Sequence, residues 1–239
     1  MKLSLGKCAQ GIFLLRKNIE DYLKDSVFPI FCVECGLEGV VWCHRCTSKN
    51  HYRPIIFYPP MDIGVSSIIA FFLYNELYPT GKLLRQWKYD HVRLVEDEWQ
   101  KLMIKNSLQI IRWLQMFDKN QTIGLVSVPL HPRRLRERGF NQSEIITKIF
   151  SEICYKNNIK VEIITGLKRR RYTKQQAKLS IEKRAENLLG AFVWVEGILP
   201  RQIVLVDDVF TNGYTMGECA KVLREQGAEK IGGLVLAKG

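Results

Sequence analysis

Short apolar runs alternate with helix-like segments from Thr122 to the end of the chain. The runs are rich in valine, isoleucine and leucine, and the segments between them repeat apolar residues every three or four positions. We therefore predict strands at the runs and helices between them. The predicted strands cover residues 122–130, 159–165, 191–195, 201–208 and 231–237. This alternation is typical of an α/β fold, in which a mostly parallel sheet carries helices on both faces.

The pattern before Thr122 is different and predicts a mainly helical region. The run VSSIIAFFLY at Val65–Tyr74 is interpreted as a buried helix. In the segment GKLLRQWKYD, apolar residues recur at helical spacing. The basic residues between them, Lys82, Arg85 and Lys88, are interpreted as that helix's solvated face. We accordingly expect an N-terminal segment 1–60, followed by a domain 61–239 with a helical part 61–120 and a sheet core 121–239.

Composition supports a folded protein without a membrane span. The chain has 239 residues, of which 46% are hydrophobic and 25% are charged, as in ordinary globular proteins. Its apolar runs stay below the roughly 18 residues that a membrane helix needs. The first residues lack the apolar core and cleavage site of a signal peptide. A cytoplasmic location is the resulting expectation.

Basic residues give the chain a net charge of +12 and are clustered. A field of this sign attracts polyanions such as nucleic acid or phosphorylated small molecules, although charge also serves solubility alone. The candidate nucleic-acid contacts lie in two clusters: Arg133, Arg134 and Arg136, and Lys168, Arg169 and Arg170.

Four of the seven cysteines form two C-x2-C pairs separated by seven residues: Cys32, Cys35, Cys43 and Cys46. Two such pairs close together supply the four thiolates of a structural zinc site. Gly36 and Gly39 suit the tight turns of so short a spacer. Four free thiols, a redox pair and an iron–sulfur cluster are the alternatives. Zinc is the prediction, and it would hold together a segment too small to fold alone.

Two adjacent aspartates, Asp207 and Asp208, stand at the end of the predicted strand in IVLVDDVFTNGYT. Burying neighbouring like charges is unfavourable without a partner. A loop with hydroxyl groups and Gly213 follows and leads into a helix, an arrangement that suits a phosphate. Two carboxylates can accept hydrogen bonds from vicinal sugar hydroxyls, or attract magnesium. A ribose 5-phosphate would satisfy the carboxylates and the loop together.

This stretch resembles the thirteen-residue phosphoribosyl-pyrophosphate motif of type I phosphoribosyltransferases. The resemblance implies a fold of that type and a catalytic role for Asp207 and Asp208, which would face the ribose hydroxyls. It also implies that the following loop wraps the 5-phosphate, through Thr211, Asn212, Gly213, Tyr214 and Thr215. Asn212 and Tyr214 stand where threonine and a small residue are common.

A wider resemblance, to the ComF (ComFC) late-competence family, is carried by four elements in order. These are the paired CxxC motifs, VPLHPRRLRERGFNQSE, RRRYTKQQAKLSIEKRAENLLGAF and DDVFTNGYT. The resemblance implies a pyrophosphate loop at Val128, Pro129 and Leu130. It assigns Arg138 to an RGFNQ signature, and it assigns Arg171, Thr173 and Gln176 to an R-x-T-x-x-Q element in a long loop over the site. A pyrophosphate leaving group needs cations, which Arg133, Arg136, Arg138 or Arg171 could supply. Arg138 and Arg171 are the predicted catalytic arginines.

The family resemblance implies a role in DNA uptake and natural transformation. The expected ligand is phosphoribosyl pyrophosphate with magnesium, and the expected partners are single-stranded DNA and a DNA-translocating helicase. Two other functions stay open: an active phosphoribosyltransferase of nucleotide salvage or synthesis, and a DNA-binding adaptor whose phosphoribosyl site is vestigial.

Overall fold

The computed structural model describes residues 30–49, 52–59, 62–75, 77–89, 94–172, 188–195 and 197–239. The chain divides into two units, residues 1–51 and residues 52–239. Most of the predicted loop around Thr173 and Gln176, and the helix predicted after it, lie outside the described residues.

The first unit contains the cysteine pairs. A bridge joins Phe31 to Glu38, and helix α1 spans His44–Lys49. Gly36 and Gly39 have φ angles of +73° and +87°, a left-handed conformation that a side chain disfavours. These two glycines therefore make the turn that brings the second CxxC pair back to the first.

The second unit is built on a six-stranded sheet in which β2, β8, β7, β3 and β4 run parallel and the edge strand β1 runs antiparallel to β2. The strand order is β1-β2-β8-β7-β3-β4. The strands are β1 Ile55–Phe57, β2 Ile68–Leu73, β3 Ile123–Ser127, β4 Val161–Ile164, β7 Gln202–Phe210 and β8 Lys230–Lys238. A separate antiparallel pair consists of β5 Leu167–Arg169 and β6 Phe192–Trp194.

Helices cover both faces of this sheet. Besides α1, the helices in the described part of the chain are α2 Pro79–Tyr89, α3 Val95–Lys105, α4 Ser107–Leu114, α5 Pro132–Arg138, α6 Gln142–Lys156 and α7 Tyr214–Glu225. Gly233 approaches Met216 of α7, whereas its neighbour Gly232 approaches Trp113 of α4. Successive residues of a strand face opposite sides of the sheet, so α7 and α4 lie on opposite faces. The predicted α/β arrangement with a mostly parallel sheet is therefore confirmed.

The helix predicted at Val65–Tyr74 is wrong. Residues 68–73 form strand β2, which pairs with β8 on one side and β1 on the other, and Ile68 through Phe71 have no exposed surface. A strand buried on both faces is apolar at every position, so its pattern does not differ from that of a short buried helix. Among the described residues, no helix is long and apolar enough to cross a membrane.

The order of the strands reverses between β3 and β7. From β3 the chain crosses through α6 to β4 on one side, and it later returns to β7 on the other side of β3. Loops that leave such neighbouring strands diverge and open a crevice, where ligands of α/β sheets bind. The segments that follow β3 and β7 are those that contain the predicted ligand-binding residues.

Candidate functional site

The two aspartates lie in β7 just beyond the end of β3. The hydrogen-bonded ladder between these strands ends where the Val128 N–H donates to the Val206 carbonyl at 2.9 Å. Asp207 Oδ1 accepts hydrogen bonds from the Ser143 hydroxyl at 3.0 Å and from the Asp208 N–H at 2.8 Å. Asp208 Oδ2 lies 2.8 Å from Lys88 Nζ. The two carboxylates thus have separate partners, one on α6 and one on α2.

Burial dominates the electrostatics of this pair. Burial and, after it, the neighbouring Asp208 charge together raise the pKa of Asp207 to about 7, against the smaller lowering effects of the Asp208 N–H, Lys88 and Ser143. Near neutral pH the Asp207 carboxyl therefore gains or loses its proton. A ligand that supplies hydrogen-bond donors or positive charge would stabilise its ionised form.

Asn141 ties the loop after β3 to this pair. Its Nδ2 donates to the Val128 carbonyl at 3.1 Å, and its Oδ1 caps α6 by accepting from the Ser143 N–H at 3.1 Å. Gly139, with φ +75°, ends α5 in the left-handed conformation and so permits the sharp turn between the two helices. The RGFNQ segment therefore fixes both the Val128–Leu130 loop and the serine that contacts Asp207.

The loop after β7 is compact and depends on Gly213. This residue has φ +81°, and a Cβ at its position would lie 3.0 Å from Phe210 Cζ. Asn212 Oδ1 accepts from the Tyr214 N–H at 3.3 Å, while Asn212 Nδ2 is buried and has no acceptor among the described residues. Thr211 is exposed, and no side chain caps α7. The segment Thr211–Thr215 thus presents an amide donor, a hydroxyl and a helix N-terminus.

The two arginines predicted to be catalytic both contact the protein itself. Arg138 donates to Gln142 Oε1 at 3.2 Å, one residue before Ser143. Arg171 is exposed and donates to the Leu189 carbonyl at 2.7 Å.

Two arginines of the first basic cluster lie beside Tyr172. The guanidinium groups of Arg133 and Arg134 lie 4.8 and 5.9 Å from the centre of its ring. Arg133 also pairs with Glu137 at 3.1 Å. The remaining candidates except Arg169 are exposed: Arg136, Lys168 and Arg170. Together with the two arginines and Tyr172, these residues are called the basic surface below.

Arg169 differs from the other nucleic-acid candidates, because it is buried. Its guanidinium lies 5.2 Å from the centre of the Phe192 ring, and burial lowers its pKa to about 10. Side chains alternate between the two sides of β5, so that Lys168 faces outward while Arg169 faces inward. Arg170, just beyond the strand, is exposed. Arg169 is therefore placed to support the fold rather than to contact DNA.

The four cysteines of the first unit form one cluster. Their sulfur atoms all lie within 4.8 Å of one another, and Cys35 Sγ is 3.7 Å from Cys43 Sγ. Thiolates placed tetrahedrally about zinc at 2.3 Å would be separated by roughly 3.8 Å. Cys32, Cys43 and Cys46 are buried, whereas Cys35 is exposed. The predicted four-cysteine cluster is thus confirmed, and its donor set fits a tetrahedral metal ion.

Sequence reasoning missed Lys88 and Ser143. The solvated face predicted for Lys88 is wrong, since its side chain is 18% exposed and pairs with Asp208. The charge of Lys88 suggested that its side chain is exposed to solvent. No local sequence pattern indicates that it pairs with a carboxylate 120 residues later in the chain. Ser143 follows a helix cap, and only the strand order shows that α6 begins beside β7.

We expect the stability of the protein to fall as pH rises through the titration of Asp207. The folded pKa of about 7 lies above the ordinary value, so the native state binds a proton that the unfolded chain has already lost. Between pH 5 and 8 the free energy of unfolding should fall by about 2–3 kcal/mol relative to Asp207→Asn, as measured by urea denaturation. The exposed Asp97→Asn is the control and should parallel the wild type; a parallel course for Asp207→Asn would contradict the burial of this carboxyl.

The chain is similar over most of its length to proteins named for competence and DNA use, although no family model matches it. It is 36% identical over 216 residues to competence protein F of Haemophilus influenzae, an alignment of 85% of the chain and 82% of that protein. It is 30% identical over 207 residues to DNA utilization protein YhgH of Escherichia coli, with 84% and 80% covered. Competence protein ComFC of Streptococcus pneumoniae is 30% identical over 116 residues, or 47% of each chain. The chain therefore belongs to the ComF family of competence proteins.

Proposed function

We propose that this protein serves the uptake and use of DNA, and that it binds phosphoribosyl pyrophosphate with magnesium and, separately, single-stranded DNA. The names of its relatives support the first part, since they refer to competence and DNA utilization. The ligands are argued from the described residues.

One observation carries the small-molecule part: the acid pair and two loops converge at the point where the strand order reverses. Asp207 and Asp208 occupy β7, Val128–Leu130 follow β3, and Thr211–Thr215 follow β7. Each of these groups suits a different part of one ligand. The carboxylates suit the vicinal diol of a sugar, and the two loops suit the two phosphate-bearing ends of the ligand.

The 5-phosphate would lie against Thr211–Thr215. Asn212 Nδ2 is buried without an acceptor among the described residues, which costs about 1–3 kcal/mol, and a phosphate oxygen would offset that penalty. Gly213 allows the backbone to approach closely, and the N-terminus of α7 favours negative charge. The asparagine in place of a threonine thus keeps a donor for phosphate.

The pyrophosphate would lie against Val128, Pro129 and Leu130. Magnesium binds phosphate and hydroxyl oxygens, and it would neutralise charge between the pyrophosphate and the ribose hydroxyls. The negative potential of the acid pair would favour this magnesium complex on the side of the ribose hydroxyls.

A second candidate, an active phosphoribosyltransferase, is favoured by a specific feature. A cavity of about 350 Å³ opens beside the pyrophosphate loop and is lined in part by Pro129, Leu130 and Asn141. Its volume suits an acceptor of nucleobase size. Arg138 and Arg171 would then assist departure of pyrophosphate.

The third candidate, a DNA adaptor with a vestigial site, is favoured by the charge of +12 but leaves the acid pair unexplained.

Calorimetric titration with phosphoribosyl pyrophosphate tests the ligand. The wild type should bind it only with magnesium, and Asp207→Asn/Asp208→Asn should weaken binding by about 100-fold or more, since hydrogen bonds to charged groups contribute about 1.5–3 kcal/mol each. Asp97→Asn serves as the control for charge. Binding that survives in the double variant, or fails in the wild type, would contradict this site.

Single-stranded DNA would bind the basic surface. Its exposed cations can neutralise backbone phosphates, and Tyr172 adds an aromatic ring beside them. A DNA-translocating helicase that delivers the strand to this surface is the protein partner we propose.

Salt dependence tests the DNA contact. If four phosphates are neutralised, the Kd for a single strand should rise about 50-fold between 50 and 200 mM salt. Lys168→Ala/Arg170→Ala should reduce that slope by about 1.4. Lys156→Ala/Lys160→Ala, at the opposite end of β4, is the matched control and should leave the slope unchanged. A slope near zero for the wild type would exclude backbone contacts.

We further propose that the four-cysteine cluster binds structural zinc. Purified protein should contain about one zinc ion per chain, measured by elemental analysis. Cys43→Ser removes one thiolate and should lose both the metal and solubility, because metal binding supplies the folding energy of such segments. Cys8→Ser lies outside the CxxC pairs and should keep its zinc. Metal-free wild type of undiminished stability would contradict a structural role.

A further inference from the structure

Lys88 brings a positive charge into the acid pair from the helical part of the second unit. It lies in the last turn of α2, its Nζ is 2.8 Å from Asp208 Oδ2, and the two side chains are 18% and 14% exposed. A largely buried ion pair of this kind carries a desolvation penalty that its attraction only partly repays. Stability alone is therefore a poor explanation of its presence at this site.

A row of aromatic rings holds Lys88 in place. The neighbouring Trp87 packs against Trp99 at 6.1 Å and against Phe140 at 6.0 Å, and Trp99 stacks on Phe72 of β2 at 5.7 Å. Trp87 and Trp99 are fully buried. The lysine thus approaches Asp208 from a rigid support.

The same row connects α2 to the loop after β3. Phe140 belongs to the RGFNQ segment, and the next residue, Asn141, donates a hydrogen bond to the Val128 carbonyl. Trp87, the neighbour of Lys88, thus packs on the segment that holds the Val128–Leu130 loop. Under the proposed function, the ligand's pyrophosphate would lie against that loop.

A sugar diol that binds Asp208 competes with the ammonium for the same carboxylate. The displaced ammonium remains largely enclosed, and an unpaired charge in such surroundings is strongly unfavourable. A pyrophosphate group at the anomeric carbon would provide it with a new anionic partner. A sugar 5-phosphate that lacks this group would not.

We propose that Lys88 is a specificity-determining residue that pairs with Asp208 in the free protein and with the anomeric pyrophosphate in the complex. It thereby selects phosphoribosyl pyrophosphate over ribose 5-phosphate. This inference rests on the proposed function, since it takes the phosphoribosyl site as given.

The test measures the Kd of both sugars, with magnesium, for the wild type and for Lys88→Met. The variant keeps a side chain of similar length without its charge. It should bind phosphoribosyl pyrophosphate at least about tenfold more weakly, because a charge-assisted contact is lost. It should bind ribose 5-phosphate as tightly as the wild type or more tightly, because no ion pair has to be broken. Lys82→Met, on the exposed side of α2, should change neither affinity.

Weaker binding of phosphoribosyl pyrophosphate without weaker binding of ribose 5-phosphate supports the inference, and a purely structural role would not produce this divergence. Equal weakening of both ligands would show that Lys88 only positions Asp208 and would overturn the proposal, as would an unchanged affinity for phosphoribosyl pyrophosphate. Lys88→Gln is the second neutral variant and must show the same divergence if Lys88→Met folds poorly. Failure of the wild type to bind either sugar is a distinct result, which contradicts the proposed function itself.

Discussion

The partial burial of two neighbouring carboxylates in β7 is the constraint on which the site depends. Asp207 and Asp208 repel each other, and burial together with this repulsion raises the pKa of Asp207 to about 7. A hydroxyl at the start of α6 donates a hydrogen bond to Asp207, and an ammonium at the end of α2 pairs with Asp208. Both helices are in turn anchored to the RGFNQ segment, α6 through the Asn141 cap and α2 through the contact of Trp87 with Phe140.

This dependence gives the RGFNQ segment a physical meaning. Gly139 permits the turn, Phe140 supports α2, Asn141 holds the Val128 carbonyl, and Gln142 accepts a hydrogen bond from Arg138. A single short segment therefore connects the loop after β3 with both supports of the acid pair. Substitution within it would therefore disturb the loop after β3 and both supports of the acid pair.

The alternation of strands and helices after Thr122, the position of the acid pair and the clustering of the four cysteines could all be predicted from local pattern. Strand β2 could not, because a strand buried on both faces lacks the period of two that distinguishes strands. The inward orientation of Arg169 depends on its pairing in β5, and the role of Lys88 depends on contacts across 120 residues of chain. Both features are properties of tertiary structure. The charges of Arg169 and Lys88 suggested instead that these side chains are exposed to solvent.

Under the proposed function, one ligand occupies the acid pair and the two loops together. The decisive experiment is a crystal structure with phosphoribosyl pyrophosphate and magnesium. We expect the ribose hydroxyls at Asp207 and Asp208, the 5-phosphate against Thr211–Thr215 and the pyrophosphate beside Val128–Leu130. A ligand bound elsewhere, or a 5-phosphate placed away from the Thr211–Thr215 loop, would contradict it.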